Sequence, residues 1–141
     1  MYIRDFMTSD VSTVRPDQSI QQAAQIMEQI DCGSIPVVEG KRIIGVITDR
    51  DIALRGVAAG NTNATVKECM STNVVTCTPD TDAHEAADLM ASKQIRRLPI
   101  VDDRGELCGI LAIGDLAVIS IHVNEAGKAL SDISEGSTTT H

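Results

Sequence analysis

The spacing of apolar and polar residues divides the first sixty positions into five segments. Residues 11–14 (VSTV) form a short β-branched run stopped by Pro16, which predicts a strand. Ser19 followed by Gln22 makes a capping-box pattern, and Ile20, Ala23, Ala24, Met27 and Ile30 then recur at helical spacing. Cys32-Gly33 ends that helix. Residues 35–38 and 43–48 are apolar runs parted by Glu39-Gly40, which predicts two more strands. From Asp49 the pattern turns helical again, through Ile52, Ala53 and Val57 to Ala59. The order is β-α-β-β-α.

That order is written twice. Residues 3–38 align with residues 66–101 at an offset of 63. IRDFM at 3–7 lies over VKECM at 66–70, AAQIM at 23–27 over AADLM at 86–90, and IPVV at 35–38 over LPIV at 98–101. One inserted residue raises the offset to 64, which sets GVITDRDIA at 45–53 over GILAIGDLA at 109–117. Asp82 with Glu85 repeats the helix start, and Ala83, Ala86, Ala87 and Met90 repeat the apolar stripe. Residues 60–64 read as the linker, and Thr65 with Glu68 offers a further capping box. The expected domains are residues 1–60 and 61–123, followed by a helical extension and flexible tail at 124–141. A copy of about fifty residues is too small for a comfortable core of its own, so the two should pack on each other as an α+β (α/β-type) pair.

Composition narrows the function. The 141 residues are 43% apolar, which excludes wholesale disorder. Tyr2 and Phe6 are the only aromatics, so no stacking platform for single-stranded nucleic acid exists. A net charge of −8 disfavours phosphate backbones and anionic membranes as partners. The apolar runs are too short for a membrane span, and the N-terminus lacks a signal-peptide pattern, so a cytoplasmic protein is expected. Cys32, Cys69, Cys77 and Cys108 form no C-x-x-C pair and read as small buried apolar residues. His84 lies outside its helix stripe, and His122 and His141 stand near the end of the chain. No nucleophile, acid–base pair or metal set emerges, so the chain is not expected to be an enzyme.

One segment carries candidate chemistry. A strand ends at Thr48 and a helix starts at once, offering free N–H groups and a hydroxyl to a phosphate oxygen. Asp51 lies three residues on, where a carboxylate can accept hydrogen bonds from the two hydroxyls of a ribose. The same two residues also suit a plain helix cap.

Two β-α-β-β-α copies, each with a hydrophobic-Pro strand followed by G-h-h-T-x-x-D or its variant, resemble a pair of CBS domains, the tandem called a Bateman module. The resemblance spans residues 1–123, and TDRDI at 48–52 and IRRLPIVD at 95–102 are close to small stand-alone bacterial members. It implies a pseudo-two-fold pair with two clefts that bind adenine nucleotides (AMP, ADP or ATP). By the resemblance Thr48 meets phosphate and Asp51 ribose. The second copy keeps Asp115 but has Ala112 at the Thr position. Arg96 and Arg97, just before Leu98-Pro99, are nominated for phosphate, and with Lys93 they make the densest basic cluster of the chain. Val14 and Ile35 in one copy, and Cys77 and Leu98 in the other, are nominated to line adenine.

The function so implied is a regulatory sensor that acts in trans on a separate protein effector. The alternatives are a structural or dimerising module without nucleotide, and a module for S-adenosylmethionine or a divalent cation. The resemblance further implies a homodimer through helix faces at residues 49–59 and 114–123, the latter carrying Leu116, Ile119 and Val123, which equally suit an internal core.

Overall fold

The computed structural model describes residues 1–117. The expected features at Ile119, His122, Val123 and His141, and the extension and tail at 124–141, lie outside the described residues. The chain forms two compact units that cut across the repeat. The first-copy unit holds Ser12–Val74 with Gly105–Leu107; the second-copy unit holds Met1–Val11, Val75–Arg104 and the described residues from Cys108 on. Each has a two-stranded antiparallel sheet with helices, an α+β arrangement. Among the described residues no helix is long and apolar enough to cross a membrane.

In the first-copy unit the Ser19 hydroxyl accepts the Gln22 N–H and the Gln22 side chain accepts the Ser19 N–H, both at 3.1 Å. This capping box starts α1 (Ile20–Ile30). The helix stops on Asp31 in the left-handed region (φ 53°), one residue before the expected Cys32-Gly33. The Cys32 N–H then bonds the Met27 carbonyl at 3.0 Å. Next come β1 (Ser34–Glu39) and β2 (Arg42–Thr48), paired from Ser34↔Thr48 to Glu39↔Arg42 with a slip between Val37 and Val38. After Thr48 a single α-turn, α2 (Asp49–Asp51), runs into a π-helix over Ile52–Val57. α3 (Val66–Cys69) completes the unit, its Val66 and Lys67 N–H groups bonded to the Gln18 and Pro16 carbonyls. Val14, Ile20, Ala23, Ile35, Val37, Ile47, Val66 and Cys69 form the core.

The second-copy unit repeats this plan with α4 (Ala83–Lys93), β3 (Arg97–Val101), β4 (Leu107–Ala112) and α5 (Ile113–Ala117). Asp82 caps α4 by accepting the His84 N–H at 2.8 Å, and α4 stops on left-handed Gln94 (φ 54°). Ile3, wholly buried, joins Ala83, Ala86, Ala87, Met90, Leu98, Ile100, Leu111 and Leu116 in the core. Leu116 is therefore core rather than docking surface.

Each unit contains a close crossing of its own chain. Ser71 exchanges two 2.9 Å bonds with Val46 on β2, and Thr8 exchanges two with Ile110 on β4. The aligned glycines make room. A Cβ on Gly45 would stand 2.8 Å from the Ser71 carbonyl, and one on Gly109 would stand 2.6 Å from Met7 Sδ.

Three expectations are corrected. The strand at 11–14 shrinks to one parallel bridge, Val14↔Val37, matched by Cys77↔Ile100 in the other unit. The Pro16 stop leaves room for no more. Thr65 makes no capping box, because its hydroxyl bonds the Glu68 carboxylate at 3.3 Å instead of a backbone N–H. The helix after Asp51 is wound mostly as π, with Ala58 N–H on the Ala53 carbonyl and Asn61 N–H on the Gly56 carbonyl, both at 2.8 Å. Gly56 is thereby set against α1, where a Cβ would stand 2.5 Å from Ile20 Cδ1.

Candidate functional site

The first-copy candidate set gathers at one end of the β1–β2 hairpin. The pairing Ser34↔Thr48 puts the start of β1 beside the end of β2, and the Val14 N–H bonds the Pro36 carbonyl at 3.1 Å. At the turn, the Thr48 N–H donates to Asp51 Oδ2 at 2.9 Å and the Asp51 N–H donates to Thr48 Oγ1 at 3.1 Å. The Asp49 N–H closes the turn on the Gly33 carbonyl at 2.9 Å. Chemically, the Thr48 hydroxyl keeps its own proton for donation, and Asp51 keeps a second carboxylate oxygen for accepting. A phosphate oxygen and a ribose hydroxyl have complementary needs.

The second-copy set is built by the same rule. The Ala112 N–H donates to Asp115 Oδ2 at 2.8 Å, and the Ile113 N–H closes on the Arg96 carbonyl at 2.9 Å. The hydroxyl half of the cap is missing, since Ala112 has nothing to return to Asp115. Arg96 is exposed and Arg97, the first residue of β3, is half-buried.

The surroundings of the two turns differ in charge. Where the second copy has Arg96 and Arg97, the first has Gly33 and Ser34. The Asp49 carboxylate fills the space beside Gly33, coming within 2.6 Å of where a Cβ would be. The aligned residue in the second copy is Ile113, a member of the core. Sequence reasoning passed over Asp49 because its partner across the turn is a glycine, which carries no side-chain signal.

Of the residues nominated to line adenine, Val14, Ile35 and Leu98 are buried in the two cores. They can meet a ligand only through backbone or after repacking. Cys77 is half-buried, and burial pushes its thiol up, outweighing the bond from Thr81. Burial likewise raises Cys69 and Cys108, so these thiols stay protonated at neutral pH and serve as small apolar groups. No group of three His, Cys, Asp or Glu among the described residues is placed to share a metal ion. His84 is exposed. A groove of about 310 Å³ is lined by Ile20, Gln21, Ala24, Ile52, Val57 and the linker residues Thr62 and Asn63, and not by Thr48 or Asp51.

The CBS domain family profile matches residues 3–56 and 66–121. The chain is 50% identical over 133 residues to the CBS domain-containing protein YhcV of Bacillus subtilis, covering 94% of each. The crystal structure of CBSX2 in complex with AMP superposes with a TM-score of 0.75 at 25% identity, covering 87% of this chain and 98% of that one. The CBS domain pair of protein MJ0100, in complex with 5-methylthioadenosine and S-adenosyl-L-methionine, superposes at 0.74 with 28% identity, covering 85% and 95%.

Proposed function

The chain belongs to the CBS-domain family, with two CBS domains in tandem, and from that premise we propose that it is a regulatory module that binds an adenine nucleotide. The observation that carries the reading is the turn built twice. Asp51 and Asp115 each sit at the start of a helix, each with one carboxylate oxygen on the N–H of the residue ending the preceding strand. The bound AMP of CBSX2 and the adenosyl ligands of MJ0100 support an adenine-containing ligand.

In this reading Asp51 and Asp115 take the ribose, Thr48 takes a phosphate oxygen in the first copy, and Arg96 and Arg97 supply positive charge in the second. Cys77 borders the base with its side chain, and Val14, Ile35 and Leu98 border it through their backbone. The module works in the cytoplasm as a homodimer, does no chemistry itself, and passes ligand occupancy to a separate effector protein. Leu54 and Val57, 52% and 60% exposed on the π-helix, offer the apolar face for self-association.

Thermal melts with AMP, ADP, ATP and S-adenosylmethionine test this. A ligand at a hundred times its dissociation constant adds about 2.7 kcal/mol, a shift of several degrees. No shift with any of the four would overturn the reading. It would favour the structural module, which the closed Thr48–Asp51 cap already suits, since that cap is complete without a ligand.

A further inference from the structure

Four residues beyond Asp51, Arg55 Nη1 donates to the carbonyls of Cys69 and Met70 at 3.2 and 3.1 Å. These groups lie at the C-terminal end of α3, where backbone carbonyls lack helical partners and a cation is favoured. The stretch so held runs directly into Ser71, which is paired with Val46, and its Met70 lies over Gly45. Just beyond it, at Val75, the chain passes into the second-copy unit.

The helix carrying Arg55 is seated tightly on the same region. A Cβ on Gly56 would stand 2.5 Å from Ile20 Cδ1 and 3.9 Å from Cys69 Sγ. The buried Cys69 thiol is raised first by its burial, then by Glu68 and Asp51, and is lowered by Arg55, so all of these groups share one electrostatic neighbourhood. The helix start and residues 66–71 are thus joined by one guanidinium and by a contact with no side chain to act as a cushion.

We propose that Arg55 is a positioning residue that transmits occupancy of the Thr48–Asp51 turn to residues 66–71. The inference rests on that turn being a nucleotide site. A ribose hydroxyl donating to the second oxygen of the Asp51 carboxylate draws it from the Thr48 N–H and shifts the first helical turn. Arg55 moves with that turn, and its two bonds carry the shift to the Cys69 and Met70 carbonyls.

The test uses the full chain with AMP as the probe. Calorimetry gives affinity, and hydrogen exchange follows the Met70 and Ser71 amides, referenced to the Val38 amide on β1. In the unsubstituted chain, AMP should slow Met70 and Ser71 about five-fold beyond its effect on Val38. In Arg55→Ala the affinity should stay within about three-fold while the extra slowing disappears. Should that variant fail to fold, Arg55→Lys keeps the charge with a single nitrogen, and the extra slowing should fall to about two-fold. Normal AMP binding without extra slowing, or extra slowing that survives in the variants, overturns the coupling alone. Affinity lost with the Arg55 side chain also overturns it, by making Arg55 part of the ligand site. Absence of AMP binding by the unsubstituted chain overturns the nucleotide reading, and the coupling with it.

Discussion

Thr48 and Asp51 satisfy each other: each backbone N–H bonds the other's side chain, at 2.9 and 3.1 Å. A ligand at this turn must therefore share or displace bonds that already exist. In the second copy the partnership is one-sided: the Ala112 N–H bonds the Asp115 carboxylate, but Ala112 has no side-chain acceptor for the Asp115 N–H. Five predictions test what these and related contacts do.

Asp51→Ala removes an ionised acceptor. A hydrogen bond to a charged group contributes about 1.5–3 kcal/mol, so AMP affinity should fall roughly ten- to a hundred-fold by calorimetry. The carboxylate half of the capping box goes too, leaving the Thr48 N–H without its acceptor, at a cost of about 1 kcal/mol in stability. A lower melting point with unchanged affinity would make Asp51 a cap and nothing more. Loss of binding in Asp115→Ala alone would reverse the ranking of the two turns.

Ala112→Thr restores the missing hydroxyl. The Asp115 N–H gains an acceptor, which should add about 0.5–1.5 kcal/mol and raise the melt by a few degrees. AMP stoichiometry should rise if the hydroxyl was what the second turn lacked. An unchanged melt would mean the hydroxyl fails to reach the Asp115 N–H.

The glycine pair should respond unequally to alanine. At Gly45 the new Cβ meets the Ser71 carbonyl at 2.8 Å, a backbone atom fixed by its bond to Val46. At Gly109 the nearest atom is Met7 Sδ at 2.6 Å, the end of a flexible side chain, with the Thr8 carbonyl at 3.1 Å. Gly45→Ala should cost about 2–3 kcal/mol in urea unfolding and Gly109→Ala about 1. Equal losses would show that Met7 cannot swing aside.

A double substitution, Leu54→Glu with Val57→Glu, places two carboxylates on the exposed apolar face of the π-helix. Light scattering at micromolar concentration should report a dimer for the unsubstituted chain and a monomer for the variant, with AMP binding retained. A monomer before substitution removes the homodimer from the reading.

Acid stability should depend on Asp82. The bond from the His84 N–H holds its carboxyl below the ordinary value, and the nearby amino group of Met1 adds to this. A depressed folded pKa means the contribution is present above the unfolded pKa and is lost as pH falls through the folded one. Asp82→Asn should therefore narrow the gap between melting points at neutral pH and at about pH 3. An unchanged gap would assign the acid loss to other carboxylates.

Local features were legible in the sequence where one residue type decides the outcome. Ser19 with Gln22 marks the α1 start, and Gly40, at φ 62°, marks the β1–β2 turn. The offset of 63 and 64 is enough to align the two turns at Asp51 and Asp115. What stayed hidden depends on choices between near-equal partners. IRDFM and VKECM carry the same pattern, so nothing in either says that Ile3 will bond Thr81 while Val66 bonds Gln18. The π-winding was equally silent, because Ile52, Ala53 and Val57 suit an α-helix until Gly56 must face Ile20. Resemblance nominated Val14, Ile35 and Leu98 for a ligand surface, and the same aliphatic character that made them suitable put them in the core.

The assignment of residues 1–11 to the second-copy unit sets an order for synthesis. Ile3 is made well before Leu98, Leu111 and Leu116, which share its core and come roughly a hundred residues later. At about 5–20 residues per second, a nascent chain carries Ile3 uncovered for roughly 5–20 seconds. The first-copy unit has nearly all its residues by Val74, and its core cluster includes none of residues 1–11. On the ribosome the middle of the chain can settle first, and its opening segment docks only after β4 has been made.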